Sequence, residues 1–205
     1  MTIEKGERIL FNGDSITDAG RDRNGLYSLS GYNKMIADTI DGTRPDAGVS
    51  CYNRGISGDR TTDLLARLEG ELRELKPTMF SLLIGINDVW RKYDCNDPTP
   101  HSVYAKNMDA IFSTVKAYTD KIVILEPFLV ATESAKLAYY EDLMPKIVLL
   151  RALSAKYRAL YIPLDGLLAA ASVENGAALY SPDGIHLAEA GNRLVADAFL
   201  SRVRV

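Results

Sequence analysis

The chain has 205 residues, of which 47% are hydrophobic and 25% charged, and its net charge is -3 at a pI near 5.5. These values are typical of one folded domain, here residues 1–205, and the lack of basic excess argues against nucleic acid as a partner. We expect a cytoplasmic protein that contacts no membrane, because the N-terminus lacks an apolar signal-peptide core and no apolar run approaches the roughly 20 residues that span a bilayer.

The first part of the chain predicts two strands separated by a helix, over residues 8–12, 32–42 and 49–52. A charged loop at residues 18–25 is expected at the rim of a pocket. The next predicted helix carries one apolar stripe, formed by Leu64, Leu65, Leu68, Leu72 and Leu75. It ends before Pro77, and a strand covered on both faces is predicted over the apolar run 79–84.

The second part of the chain continues the alternation of strands and helices. A helix follows Pro100, and strands are predicted over residues 121–125 and 160–164. Between them, residues 134–157 are expected to be helical with an interruption at Pro145. A last helix is predicted after His186. This alternation indicates an α/β fold, with a parallel sheet and helices on both of its faces.

A sharp turn after the first strand carries a candidate nucleophile. Gly13 permits the turn because it has no Cβ, and Ser15 is left at the carboxyl end of the strand, where ligands bind in parallel α/β sheets. A serine hydroxyl needs a base to remove its proton. His186 follows Asp183 by three residues, a spacing that brings imidazole and carboxylate together. We expect the other histidine, His101, to be a solvated surface residue.

Acyl transfer also requires donors for the developing oxyanion. Asn87 follows the strand at residues 79–84, so its side-chain amide should lie at the same sheet edge as Ser15. Gly58 follows the strand at residues 49–52 and allows its backbone N–H to approach a ligand closely. The N–H of Ser15 would be a third donor.

These residues lie in four short blocks that resemble those of the SGNH, or GDSL-type, hydrolases, in the same order: Gly13-Asp14-Ser15, Asn53-x-Gly55-x-x-Gly58, Gly85-x-Asn87-Asp88 and Asp183-x-x-His186. The resemblance implies a flavodoxin-like three-layer α/β/α fold with about five parallel strands. It implies Ser15 as nucleophile, His186 as base and Asp183 as its orienting carboxylate. The implied oxyanion hole consists of the Ser15 and Gly58 N–H groups and the Asn87 side chain.

Within that family, residues 13–21 and 85–90 are similar to acetylxylan-esterase-like carbohydrate deacetylases. Six side chains are candidates for contacting a sugar: Asp14, Tyr27, Arg54, Arg60, Trp90 and Arg91. The two aromatic rings could stack on the sugar, and the arginines could bind its hydroxyl groups. The arginines are equally consistent with solvated surface charges.

The predicted function is a metal-independent serine ester hydrolase without a cofactor, which removes small acyl groups from a small-molecule ester. The expected substrate is an O-acetylated sugar or imported oligosaccharide. The sequence leaves open whether the chain forms a homo-oligomer.

Three alternatives remain at the level of the sequence. A lysophospholipase or thioesterase would use the same residues but would need a long apolar groove. A metal-dependent phosphoesterase would use Asp14, Asp18, Asn87 and His186, although two histidines are few for a two-metal site. A non-enzymatic flavodoxin-like module would bind a phosphate in the loop after the first strand.

Overall fold

The protein, described by a computed structural model at residues 1–25 and 28–205, is built on five strands. They are β1 (Arg8–Gly13), β2 (Ser50–Asn53), β3 (Met79–Leu83), β4 (Lys121–Leu125) and β5 (Leu160–Ile162). All neighbouring pairs are parallel, in the order β2-β1-β3-β4-β5. This is the flavodoxin-like order, so the predicted α/β fold is confirmed.

The helices cover both faces of the sheet. They are α1 (Ser15–Asp18), α2 (Gly31–Thr43), α3 (Thr61–Leu75), α4 (Ile86–Asp94), α5 (His101–Lys116), α6 (Tyr140–Tyr157), α7 (Leu164–Asn175), α8 (Ala177–Tyr180) and α9 (Glu189–Arg202). Short 3-10 helices lie at Pro45–Ala47 and Ser134–Tyr139. Across the described part of the chain, no helix combines the length and the apolarity needed to cross a membrane.

Alternating side chains of the strands divide the core into two halves. On β1, Leu10 points to the face covered by α3 and α5, where it joins a cluster with Leu68. The next residue, Phe11, points to the opposite face, where its ring lies 6.1 Å from that of Tyr32 on α2 and 5.8 Å from that of Phe199 on α9. All five side chains are fully buried, so the molecule has the three layers that the sequence predicts.

The leucine stripe of α3 lies against the sheet as predicted. Leu64, Leu68 and Leu72 have no exposed surface, and Leu75 retains 7%. Leu65 lies at the edge of the stripe and is only partly buried. Burying a leucine side chain stabilises a fold by about 1.5–3 kcal/mol, so this stripe fixes how α3 packs on the sheet.

One expectation about the helices is wrong. Pro145 does not interrupt its helix, because α6 runs through it from Tyr140 to Tyr157. Its missing N–H would have bound a carbonyl in the first turn, so only one hydrogen bond is lost there. Helices α4 and α7, which were not predicted, closely follow β3 and β5.

The chain reverses its direction of travel across the sheet at β1. From β1 it passes to β2 at one edge, and then crosses back over to β3 on the other side of β1. The carboxyl ends of β1 and β3 therefore border the crevice in which ligands bind in open parallel sheets. Ser15 follows the end of β1 by two residues, and Asn87 follows the end of β3 by four.

Candidate active site

The turn after β1 positions Ser15 at the start of α1. At Gly13, where φ is +154°, an added Cβ would lie 2.1 Å from the carbonyl oxygen of Leu83, so only glycine fits. Asp14 caps α1 by accepting the N–H of Ile16 at 3.0 Å. The strand therefore passes into the helix without a loop, and Ser15 occupies the first helical position.

Three side chains form a continuous hydrogen-bonded chain at this edge of the sheet. Nε2 of His186 lies 3.0 Å from Oγ of Ser15, and Nδ1 of the same ring lies 2.6 Å from Oδ2 of Asp183. Because the carboxylate accepts the proton on Nδ1, the lone pair of Nε2 faces the serine hydroxyl. This arrangement can remove a proton from Ser15. The structure brings together residues that are 171 positions apart in the sequence.

The Asp183 carboxylate is held in its ionised form. Partial burial raises its pKa, but the hydrogen bonds from the His186 ring and from the N–H groups of Ile185 and His186 outweigh that effect and lower the pKa to about 2. The two N–H groups donate to Oδ1 at 2.9 and 2.8 Å, leaving Oδ2 for the ring. The carboxylate thus fixes both the loop and the imidazole.

Two residues that sequence reasoning did not identify support this loop. Ser181 donates its hydroxyl proton to the carbonyl oxygen of His186 at 2.8 Å. Lys136, in the 3-10 helix before α6, donates to the carbonyl oxygen of Asp183. Ser181 lies two residues before Asp183 and could have been proposed from its proximity, but no sequence signal connects Lys136 to a loop 47 residues away.

Gly58 follows β2 and Asn87 follows β3, at the same edge of the sheet as Ser15. Nδ2 of Asn87 donates one proton to the carbonyl oxygen of Asp59 at 3.0 Å, and its Oδ1 accepts from Arg91 at 3.4 Å. These contacts define the amide orientation and leave one N–H with no acceptor among the described residues. Gly58 has φ of +89°, its backbone is exposed, and no described residue accepts its N–H.

A polar cavity of about 470 Å³ opens beside Ser15 and His186. It is lined by short side chains and backbone from α1, the start of α2, the loop before Gly58 and the start of α9, including Ala19, Gly31, Ser57 and Asn192. A larger apolar groove of about 710 Å³ lies between α7 and α9, and neither Ser15 nor His186 lines it. The smaller cavity is therefore the one next to the reactive groups.

The family model described as GDSL-like lipase/acylhydrolase matches residues 11–194, which include Ser15, Asp183 and His186. The chain belongs to the GDSL-like lipase/acylhydrolase family. Members of such a family hydrolyse esters, and this protein is a carboxylic ester hydrolase.

Known proteins with similar sequence or structure include acetylxylan esterases. The acetylxylan esterase of Geobacillus stearothermophilus is 30% identical over 213 aligned positions, covering 99% of this chain and 96% of that enzyme. The crystal structure of Axe2, an acetylxylan esterase from the same organism, matches with a TM-score of 0.90 and 28% identity over 98% of this chain and 96% of that one. LAE5, an α/β hydrolase enzyme from the metagenome of Lake Arreo, Spain, matches with a TM-score of 0.90 and 27% identity at the same coverages. Axe2 variants in which a serine, an aspartate or a histidine is replaced by alanine are described as catalytic mutants.

In this GDSL-like hydrolase, two acids beside the site are buried. Asp88 accepts hydrogen bonds from Thr61 N–H and Oγ1 at 3.0 and 2.7 Å, and burial raises its pKa to about 6 in spite of them. Asp14 has no exposed surface, and burial raises its pKa to about 7. The expectation that Asp14 contacts substrate is therefore wrong, because its carboxyl group points into the protein and caps α1.

The other candidate substrate contacts differ in their positions. The ring of Trp90 meets that of His186 edge to face, with centroids 6.0 Å apart, so it lies at the site as expected. Arg60 forms an ion pair with Asp97 at 2.7 Å and is partly exposed. Tyr27 lies outside the described residues.

Arg54 and Arg91 also have partners within the protein. Arg54 pairs with Glu74 at 2.7 Å, and the Arg91 guanidinium lies 4.9 Å from the centre of the Trp90 ring. His101 is partly exposed as expected, but its Nε2 lies 2.8 Å from Oδ1 of Asp142 on α6. It is thus a hydrogen-bonded surface residue rather than a purely solvated one.

Proposed function

We propose that this ester hydrolase removes acetyl groups from an acetylated sugar or oligosaccharide, with Ser15 as nucleophile, His186 as general base and Asp183 as the residue that orients the imidazole. The observation that carries the proposal is the continuous contact from Asp183 Oδ2 through the His186 ring to Ser15 Oγ, with distances of 2.6 and 3.0 Å. The substrate class follows from the acetylxylan esterase to which the chain is similar.

In the proposed reaction, Ser15 Oγ attacks the carbonyl carbon of the acetyl ester while His186 Nε2 takes its proton. The negative charge that develops on the carbonyl oxygen is bound by the N–H groups of Ser15 and Gly58 and by the remaining N–H of Asn87. The intermediate collapses when the bond to the sugar oxygen breaks and His186 returns the proton to that oxygen. The sugar alcohol leaves, and Ser15 carries the acetyl group.

A water molecule then completes the cycle. His186 removes a proton from the water as it attacks the acetyl carbonyl, and the same donors bind the second oxyanion. When that intermediate collapses, His186 returns the proton to Ser15 Oγ and acetic acid is released. We expect Trp90, whose ring lies 6.0 Å from that of His186 between centroids, to contact the sugar.

The cavity beside Ser15 favours a short acyl group over the long chain of a lysophospholipid or acyl thioester. Its lining includes Ser30, Ser57 and Asn192, whereas the large apolar groove between α7 and α9 does not include Ser15. A long acyl chain would leave its methylene groups against polar atoms, and each unburied CH₂ forgoes about 0.8 kcal/mol. Acetyl esters should therefore be hydrolysed faster than octanoyl esters.

The metal-dependent alternative finds no support, because its proposed ligands are engaged elsewhere. Asp14 caps α1, Asp18 accepts from Ser57 and Arg23, and Asn87 binds the carbonyl of Asp59. Cytoplasmic location and a single domain stay predictions from the sequence, which leaves self-association open.

The proposal is tested by replacing Ser15 with alanine and measuring hydrolysis of 4-nitrophenyl acetate and of acetylated xylo-oligosaccharides. We expect kcat to fall by about 10⁴-fold or more with both substrates. Ser113→Ala, which changes an exposed serine on α5, is the matched control and should keep full activity. Retention of wild-type activity by Ser15→Ala would reject the proposed mechanism, and preference for octanoyl over acetyl esters would reject the proposed substrate class.

A further inference from the structure

Asp18, at the end of α1, carries a carboxylate that the proposed reaction does not use. The residue retains only 2% of its surface. Its Oδ2 accepts three hydrogen bonds: from the Ser57 N–H at 3.1 Å, from the Ser57 hydroxyl at 2.7 Å and from Nη2 of Arg23 at 2.6 Å. Two of the three donors thus belong to the residue immediately before Gly58.

The loop that ends at Gly58 packs directly on α1. Nδ2 of Asn53 donates to the carbonyl oxygen of Thr17 at 2.7 Å. At Gly55 an added Cβ would lie 2.3 Å from the N atom of Asp18, so the loop and the helix are in backbone contact. These contacts fix the start of the loop, and the Asp18 carboxylate fixes its end.

The charge state of Asp18 strengthens this attachment. Burial raises its pKa, but hydrogen bonds from Ser57 and Arg23 outweigh burial and lower the pKa below its ordinary value. The carboxylate is therefore ionised at neutral pH, and hydrogen bonds to an ionised acceptor are roughly twice as strong as neutral ones. Arg23 compensates the negative charge, which would otherwise oppose an oxyanion forming nearby.

We propose that Asp18 is a positioning residue for the oxyanion hole, whose carboxylate holds Ser57 and thereby sets the Gly58 N–H against α1 and its Ser15. The inference rests on the proposed function, because it assumes that the Gly58 N–H binds the oxyanion. Asp18 touches neither substrate nor reacting atoms. It acts through the peptide unit between Ser57 and Gly58, and both Ser57 and Ser15 line the same cavity.

A misplaced donor weakens binding of the transition state more than binding of the ester, so the effect should appear in kcat rather than in KM. In Asp18→Asn, the amide can keep one acceptor but no longer offers an ionised oxygen to Ser57. We expect kcat to fall by about 10- to 100-fold with KM changed less than about threefold, since losing one oxyanion donor entirely lowers kcat by about 10²–10³-fold. Ser57→Ala removes only the hydroxyl donor and should lower kcat by about three- to tenfold.

The pH profile separates this role from general damage to the site. If His186 is the general base, kcat falls at acidic pH, and this fall is the acid limb of the plot of kcat against pH. Asp18 makes no contact with His186, so the acid limb should not move in either variant. Asp109→Asn is the matched control, because Asp109 also accepts from two side chains, Lys156 and Tyr157, but lies on α5 away from the site. Its kcat should equal that of the wild type.

Hydrolysis of 4-nitrophenyl acetate by these variants, together with Ser15→Ala, decides the matter. If kcat stays within about twofold of wild type in Asp18→Asn and Ser57→Ala, or if the acid limb shifts, the positioning role is overturned while the proposed function stands. If Ser15→Ala remains active, the proposed function itself fails. Should Asp18→Asn fail to fold, the kcat of Ser57→Ala alone supports or overturns the inference.

Discussion

Replacing Asp14 with asparagine should remove a pH-dependent loss of stability. In the folded protein this carboxyl group is fully buried, and its Oδ2 has no hydrogen-bond partner among the described residues. Burial raises its pKa from the ordinary 3.8 to about 7. The nearby carboxylates of Asp88 and Asp59 also raise the pKa, whereas the hydrogen bond from the Ile16 N–H lowers it. Asparagine has the same shape and can still accept that N–H, but it does not ionise.

The magnitude follows from the two pKa values. Because the folded-state pKa is raised, the stability contributed by the neutral carboxyl group is complete below pH 3.8 and is lost as the pH rises to about 7. At about 1.4 kcal/mol per pKa unit, the total loss is about 4 kcal/mol. Between pH 5 and pH 8, the part that can be measured is about 3 kcal/mol.

Urea unfolding of both proteins at a series of pH values provides the assay. The quantity to follow is the free energy of unfolding of Asp14→Asn minus that of the wild type. The contributions of the other titrating groups largely cancel in this difference. This difference should increase by about 3 kcal/mol from pH 5 to pH 8 and level off above about pH 7. Asp46→Asn, which changes an exposed carboxyl group, is the control for the substitution of an aspartate as such. A difference for Asp14→Asn that changes by less than about 0.5 kcal/mol would refute this account of the buried acid.

Three further predictions concern the reaction. Asn87→Ala should lower kcat by about 10²–10³-fold with little change in KM, because one oxyanion donor is removed; equal effects on kcat and KM would count against that role. Asp183→Asn should lower kcat by about 10⁴-fold, because the imidazole loses the partner that fixes its tautomer, while circular dichroism should show an intact fold. A loss of kcat below tenfold would contradict the role of Asp183. The wild-type kcat should fall toward acidic pH as His186 takes up a proton, while Asp183, with its pKa lowered to about 2, stays ionised; a flat profile from pH 5 to pH 8 would exclude His186 as the base.

Strong local patterns made most of the fold predictable. The five apolar runs correspond to the five strands with ends that differ by at most two residues, because buried parallel strands are apolar at nearly every position. The stripe from Leu64 to Leu75 has helical spacing and was equally clear. Helix α4 is one-sided but has only 9 residues, and its buried first turn contains the polar Asn87 and Asp88, so its pattern is too short to indicate a helix. Helix α7 is apolar around much of its circumference and lacks the one-sided pattern.

The convergence of the candidate catalytic residues was predictable for a different reason. Ser15, Asn87, Asp183 and His186 each stand in a short block, and the strand order brings the blocks to one edge. The direction in which a side chain points is not encoded in such blocks. Asp14 was wrongly expected to face substrate because it adjoins Ser15, whereas the turn at the end of β1 directs its carboxyl group inward.

Supporting contacts between distant segments had no sequence signal at all. Lys136 reaches the backbone of Asp183, and Asp18 reaches Ser57, only because helices and loops from different parts of the chain pack together. These are tertiary contacts, and neither the residue types nor their spacing in the sequence predicts them.

Activation of Ser15 by His186 is tested most directly with a fluorophosphonate, which reacts with a serine only when its hydroxyl group is activated. After incubation, peptide mass spectrometry should find one label per chain, on Ser15, and the label should be absent from His186→Ala. Labelling of a different residue, or undiminished labelling of Ser15 when His186 is replaced, would contradict the account.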